Sequence, residues 1–167
     1  MTTYGATSFE ADIQKGKTGE EIFINDFLEF LHVQYVNVTM SQGYQVIDAD
    51  MKTSAGLYEI KNNYKDDKQI IIEEYTNYNK DLGIISLGWF YKSKANMLVF
   101  LSKNTRAMIL VPFTSEFKAH YESIKGKYEL IPNRISFNGN RKWQSAFRKI
   151  PLTAINGYFA YYKKVEA

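Results

Sequence analysis

Apolar and polar residues alternate on both sides of a short turn in the first half of the chain, and this alternation predicts two β-strands. The strand before the turn carries Asp48 and Asp50 between apolar residues, and the strand after it carries Glu59 and Lys61. Residues 53–56, Thr-Ser-Ala-Gly, are small or polar and end in glycine, as hairpin turns commonly do. The two strands are therefore expected to form a β-hairpin.

The predicted hairpin gathers four charged side chains on one face. A four-residue turn sets Asp50 opposite Glu59 and Asp48 opposite Lys61, and side chains two positions apart share a face. Carboxylates side by side in a sheet repel each other, and a divalent cation between them removes that repulsion. Oxygen ligands suit Mg²⁺ or Mn²⁺, and a lysine beside them can contact a phosphate, as metal-assisted phosphodiester hydrolysis requires. The alternative is a solvated face stabilised by a ladder of salt bridges.

The remaining pattern predicts a domain of mixed α and β structure. Apolar residues at helical spacing predict a helix that opens near Thr18, and alternating or apolar runs predict further strands. The first four strands are expected to pair in sequence as an antiparallel meander that contains the acidic hairpin. Outside the hairpin, strands are predicted over residues 34–40, 69–75, 97–101 and 106–113, and later helices over residues 115–124 and 152–165.

The composition narrows the class of protein. The 167 residues are enough for one domain with its own core, and abundant Tyr and Phe argue against disorder. There is no cysteine, which excludes disulfides, zinc–thiolate sites and thiol nucleophiles. The sequence lacks the pattern of a signal peptide, and no apolar run is as long as a membrane span. A cytoplasmic protein is the expectation.

Basic residues are concentrated near the C-terminus. Residues 130–167 hold seven of the 21 Lys and Arg residues but one of the 18 Asp and Glu residues. Such a segment favours contact with the phosphate backbone of DNA, and charge that only keeps the protein soluble is the alternative. Within a loop predicted over residues 138–149, the residues expected to contact DNA are Arg141, Lys142, Trp143, Arg148 and Lys149.

The sequence Glu59-Ile60-Lys61, preceded by an aspartate on a hairpin and by a helix that opens with Gly19-Glu20, resembles the PD-(D/E)XK nuclease superfamily. This superfamily includes restriction endonucleases, Holliday-junction resolvases and many phage nucleases. The resemblance covers roughly residues 15–101. Either Asp48 or Asp50 could fill the aspartate position, and Asp50 is favoured because the expected pairing sets it opposite Glu59.

The resemblance implies a restriction-endonuclease-like core and a DNA endonuclease that depends on Mg²⁺ or Mn²⁺. The expected metal ligands are Asp50 (or Asp48), Glu59 and the backbone carbonyl of Ile60. Lys61 is expected to orient or help deprotonate the attacking water. Glu20 matches an extra carboxylate that the first helix of the family often supplies, or it is a first-turn acid favoured by the helix dipole.

Further expectations follow from the small size of the chain. The nuclease-like core is expected over about residues 15–125, followed by a basic C-terminal extension over about 126–167. A compact chain without a separate recognition domain favours a structure-selective or phage-type enzyme, and cleavage of two strands would suit a symmetric homodimer. Two other functions stay open: a nucleic-acid-binding module without catalysis, and a protein that binds another protein through its aromatic surface.

Overall fold

The computed structural model describes residues 18–29, 31–45, 48–62, 68–79, 84–102, 104–133, 135–138 and 141–163. These residues form a mixed α/β structure, which confirms the predicted class. Helix α1 covers residues 18–23 and continues as a π-helical turn at Ile24–Leu28, and three more helices follow: α2 Gln42–Gln45, α3 Trp89–Lys92 and α4 Ser115–Ile124. The strands are β1 Tyr35–Asn37, β2 Met51–Thr53, β3 Gly56–Asn62, β4 Gln69–Asn79, β5 Ile84–Leu87, β6 Met97–Ser102, β7 Ala107–Pro112, β8 Ile131–Pro132, β9 Ser136–Asn138, β10 Arg141–Trp143, β11 Ala146–Pro151 and β12 Ala160–Lys163. Short 3₁₀ turns occur at Lys125–Lys127 and Leu152–Ile155.

The strands form two larger sheets and a small hairpin. The first sheet has six strands in the order β1-β2-β3-β6-β7-β12, and the second has four in the order β5-β4-β11-β8. In the first sheet β3 and β6 are parallel and the other neighbours are antiparallel, so this sheet is mixed. Among the residues that the structure describes, strands β9 and β10 pair with each other in a separate two-stranded sheet.

The strands β6 and β7 of the six-stranded sheet are buried on both faces, which explains why they are continuous apolar runs. On one face, side chains from β3, β6 and β7 pack against Phe23 and Leu28 of α1. On the other face, Leu98 and Phe100 pack against α3, α4 and the second sheet. Among the described residues, no helix is long and apolar enough to cross a membrane.

Several predicted elements are confirmed by the structure. The hairpin turn pairs Thr53 with Gly56 and Lys52 with Leu57, as expected from the four-residue turn. Strands β6 and β7 lie where apolar runs predicted them. Helix α4 begins after Thr114, whose hydroxyl accepts a hydrogen bond from the Phe117 N–H at 3.2 Å.

The predicted four-stranded meander is wrong in its last strand. Strands β1, β2 and β3 do pair in sequence, but β4 lies inside the second sheet, between β5 and β11. The open edge of β3 is occupied instead by β6, which runs parallel to it. Strand β4 has a different role because Ile70 and Ile72 on its buried face complete the core below the six-stranded sheet.

The C-terminal segment also differs from its prediction. The expected loop at residues 138–149 contains β10 and most of β11, and the expected helix at residues 152–165 is a 3₁₀ turn followed by β12. The 3₁₀ turn ends at Ile155, and Gly157 follows with φ +88, a left-handed conformation that favours glycine. Strands β11 and β12, which lie in the segment expected as a basic C-terminal extension, belong to the two large sheets.

Candidate active site

The β2–β3 hairpin brings the carboxylates of Asp50 and Glu59 together. The described register of β2 and β3 ends with Met51 opposite Tyr58, and the Asp50 N–H donates to the Tyr58 carbonyl at 2.9 Å. The Asp50 carboxylate then accepts a hydrogen bond from the Ile60 N–H at 2.8 Å. Burial raises the pKa of Asp50, although Lys61 and the Ile60 N–H act in the opposite direction.

Glu59 is the most unusual charged residue of the site because its side chain is almost fully buried. Its exposed fraction is 3%, and its Oε1 forms an ion pair with the Lys61 ammonium group. Its other oxygen, Oε2, is buried and has no hydrogen-bond partner. Burial raises the pKa of Glu59 to about 8 even though Lys61 lowers it, and the neighbouring Asp50 and Asp48 raise it further. A solvated salt-bridge ladder would not bury its carboxylate in this way.

Lys61 joins the carboxylates to a neighbouring cleft. Its ammonium nitrogen lies 5.2 Å from the centroid of the Trp89 ring, at a distance suited to a cation–π contact. Burial alone would lower the pKa of Lys61, but the charges of Glu59 and Asp50 outweigh it, so the pKa is raised. The side chain is 29% exposed. Lys61 is therefore a persistent cation that can still reach a ligand.

Asp48 does not occupy the strand position that the alternation predicted. It has φ +48, a left-handed conformation, and its carbonyl accepts a hydrogen bond from the Ser93 hydroxyl at 2.9 Å. The pairing of Asp48 with Lys61 is therefore wrong, because the chain turns before β2 begins. Residues 46 and 47, which were expected to continue this strand, lie outside the described residues. The charge of Asp48 still contributes to the pKa shifts of Asp50 and Glu59.

Glu20 lies beside the strand that precedes the hairpin. Its Oε2 accepts hydrogen bonds from the Asn37 amide at 3.3 Å and the Thr39 hydroxyl at 3.1 Å. The same hydroxyl lies 3.3 Å from the Asp50 carbonyl, so Thr39 connects Glu20 to the hairpin. These contacts connect α1 to the backbone of Asp50. A catalytic role for Glu20 stays a prediction.

The donor set of the hairpin fits a hard divalent cation. No group of three or more His, Cys, Asp or Glu side chains arranged to hold a metal occurs among the described residues. A cation held by Asp50, Glu59 and a backbone carbonyl needs two side chains only, and Mg²⁺ often binds with one or two carboxylates plus water. The buried, unpartnered Oε2 of Glu59 is the atom that such a cation would satisfy.

A cleft of about 490 Å³ opens beside Lys61, between the two sheets. Along β4 and β11, alternate side chains point into the cleft while those between them, such as Ile70, Ile72 and Ile150, belong to the core. The residues that line the cleft are Lys61, Asn62, Gln69, Ile71, Glu73, Trp89, Phe100, Asn133, Ser145, Phe147 and Lys149. The β4 and β11 side chains among them share this surface only because the two strands pair.

Glu73 is an acidic residue that lines the cleft. Burial raises the pKa of Glu73, although the charge of Lys61 and a hydrogen bond from Thr76 act to lower it. Its Oε1 lies 3.4 Å from the Thr76 hydroxyl. The signal that could have found Glu73 is the period-two pattern of β4, which places it on the same face as Gln69 and Ile71.

The residues expected to contact DNA have different surroundings. Lys149 is exposed and lines the cleft, and Trp143 is half-buried. Arg141 and Lys142 lie in β10, which pairs with β9. Arg148 behaves differently from the other basic residues, since its side chain is only 15% exposed.

Arg148 is held inside the fold by a buried network. Its Nε donates to Glu74 Oε1 at 2.8 Å, and its guanidinium also donates to the Tyr128 carbonyl. Glu74, which is 1% exposed, accepts a second hydrogen bond from the Tyr121 hydroxyl at 2.6 Å. The guanidinium therefore has a structural role in binding Glu74 and Tyr128, and the DNA contact expected for Arg148 stays a prediction.

The chain was compared with protein families, curated proteins and solved structures. No family model, no curated protein and no solved structure matches the chain. The functional assignment therefore rests on the geometry of the hairpin and its cleft.

Proposed function

We propose that the protein is a metal-dependent endonuclease that hydrolyses phosphodiester bonds in DNA, on a restriction-endonuclease-like core. The observation that carries this proposal is the placement of Asp50, Glu59 and Lys61. The charges of the three side chains act on one another, Lys61 also lines the cleft, and one buried oxygen of Glu59 has no partner.

The order of elements supports the proposal. The resemblance requires a helix, a strand, an acidic hairpin and a further strand, in this sequence. Helix α1, strand β1, the β2–β3 hairpin and later strands follow one another in that order. Gly19 of α1 approaches the Asn62 side chain at the end of β3 so closely that an added Cβ would collide with it. The start of the helix therefore lies against the strand that carries Glu59 and Lys61.

Asp50, Glu59 and the carbonyl of Ile60 are the groups that would hold Mg²⁺ or Mn²⁺. When bound, such a cation polarises a phosphodiester and makes hydroxide available at neutral pH. The protein's own part is to hold Glu59 in a buried position close to Asp50, where burial and the charge of Asp50 disfavour ionisation of Glu59 without a cation. The hydrogen bond from the Ile60 N–H fixes the orientation of Asp50 for this purpose.

Lys61 supplies a fixed positive charge beside the scissile phosphate. Because its pKa is raised, the ammonium group keeps its proton, which favours orientation of the attacking water over its deprotonation. A cation placed where negative charge develops stabilises the transition state. Lys149 offers a second positive charge on the cleft wall for the phosphate backbone.

A Lys61→Met variant tests this role while keeping most of the aliphatic stem over Trp89. The variant is expected to bind DNA and Mg²⁺ but to lose about 10²- to 10³-fold in cleavage rate, as when one electrostatic donor is removed. The exposed Lys127, outside the cleft, gives the matched control Lys127→Met, for which no loss is expected. Cleavage at the wild-type rate by Lys61→Met would remove Lys61 from the mechanism.

A further inference from the structure

We propose that the cleft beside Lys61 binds one unpaired nucleotide, so that the enzyme acts on a DNA strand that is single-stranded next to the cleaved phosphate. This inference rests on the proposed nuclease function and adds the substrate class. It is carried by the shape, lining and position of the cleft.

The cleft offers a ring and polar groups on one wall. Phe147 is half-buried and lies in register with Glu73 across the β4–β11 pair, with Lys149 two positions further along β11. An aromatic ring can stack on any base, because every base has a flat π-face. Asn133 and Ser145 extend the same wall with amide and hydroxyl groups, which can bond to the edge of a base.

The charges of the cleft fit one nucleotide placed along it. The cleft has a positive charge on each of two strands, Lys61 on β3 and Lys149 on β11, and both can contact phosphate groups. Glu73 lies on the lining as well, and a carboxylate repels phosphate but accepts hydrogen bonds from the amino group of a base. The basic residues therefore suit the backbone of the strand, and the Glu73 region suits the base.

The base must be unpaired to enter such a cleft. In a duplex both faces of each base are stacked and its edge is paired, so neither Phe147 nor Glu73 could contact it without the base leaving the stack. The volume of about 490 Å³ lies within the range of pockets that hold one small molecule. Because Lys61 belongs both to the cleft and to the carboxylate group, a base held here places an adjacent phosphate beside Asp50 and Glu59.

The test measures binding without metal, so that it does not depend on cleavage. Fluorescence anisotropy in EDTA compares a labelled single-stranded oligonucleotide with a blunt-ended duplex that contains the same strand. The single strand is expected to bind more tightly, and Phe147→Ala is expected to weaken that binding by about 5- to 150-fold. Tyr161→Ala, which removes an exposed ring from β12 outside the cleft, is the matched control and is expected to change nothing.

A second measurement follows the ring directly and uses Phe147→Leu, which preserves apolar bulk if the alanine variant does not fold. A 2-aminopurine base in the single strand should lose fluorescence on binding to the wild type and lose less on binding to Phe147→Leu. Equal binding of duplex and single strand, or quenching unchanged in Phe147→Leu, would overturn the inference while the nuclease proposal could stand. Single-strand binding that depends on Phe147, together with no metal-dependent cleavage, would support the cleft site and reject the nuclease function.

Discussion

Replacement of Glu59 by glutamine should remove a large part of the pH dependence of stability. The pKa of Glu59 is about 8 in the folded protein, and its ordinary value is 4.5. Between these values the folded protein binds a proton that the unfolded chain does not, so stability falls as the pH rises from about 4.5 toward about 8. At 1.36 kcal/mol per pKa unit, the loss between pH 5 and pH 8 integrates to about 3.5 kcal/mol.

Urea unfolding in EDTA at pH 5, 6, 7 and 8 measures this loss for the wild type and for Glu59→Gln. Glutamine has nearly the same shape and cannot ionise, so the variant should show a pH dependence smaller by about 3.5 kcal/mol over this range. Asp50 and Glu73 also have raised pKa values and titrate in both proteins, so the difference between the two curves reports Glu59 together with its electrostatic coupling to Asp50. Parallel curves for the two proteins would refute the buried, proton-binding carboxylate on which the site is built.

The same experiment with Mg²⁺ connects the carboxylate to the metal. A cation needs the ionised carboxylate, so Mg²⁺ should stabilise the wild type more at pH 8 than at pH 6. At 100 times its dissociation constant the expected gain is about 2.7 kcal/mol. Glu59→Gln should gain much less, and an equal gain in both proteins would place the bound Mg²⁺ elsewhere.

Two other substitutions test the frame around the site by urea unfolding. Arg148→Met leaves Glu74 buried without its cationic partner and should lower the free energy of unfolding by about 3–5 kcal/mol. Lys149→Met on the same strand is the control and should change it by no more than about 0.5 kcal/mol. Equal effects of the two substitutions would contradict the buried network. Gly88→Ala places a Cβ 2.5 Å from the Glu73 carbonyl oxygen and should cost about 1–3 kcal/mol. Gly43→Ala, with no atom within 4 Å of the added Cβ, is its control, and a Gly88 variant as stable as this control would contradict the close packing behind β4.

The sequence predicted the parts of the fold where local pattern and tertiary packing agree. The turn at residues 53–56 was correct because small residues and Gly56, with φ +126, decide a hairpin locally. The strands β6 and β7 were predicted correctly because a strand that is buried on both faces is apolar at nearly every position, and such a run is visible in the sequence. The charge of Asp50 raises the pKa of Glu59, so the two carboxylates lie near each other in the hairpin, while direct pairing of Asp50 with Glu59 stays a prediction.

The rest depends on contacts between distant residues, which no local pattern contains. Strand β11 looked like a loop because Arg148 and Lys149 are basic, yet Arg148 is buried by its ion pair with Glu74, 74 residues earlier in the chain. Asp48 followed the alternation of a strand, but the Ser93 hydroxyl holds its carbonyl in a turn. Glu73 became part of the cleft only through the pairing of β4 with β11.

A cleavage assay tests the proposed metal-dependent endonuclease activity most directly. Its substrates are supercoiled plasmid, linear duplex, single-stranded DNA and a four-way junction. Each substrate is incubated with Mg²⁺, Mn²⁺ or EDTA, with wild type and with Glu59→Gln at a pH where both are folded. Cleavage of at least one substrate is expected to require the metal and to be lost in Glu59→Gln. Cleavage in EDTA, or cleavage by Glu59→Gln at the wild-type rate, would contradict it, as would the absence of cleavage on every substrate.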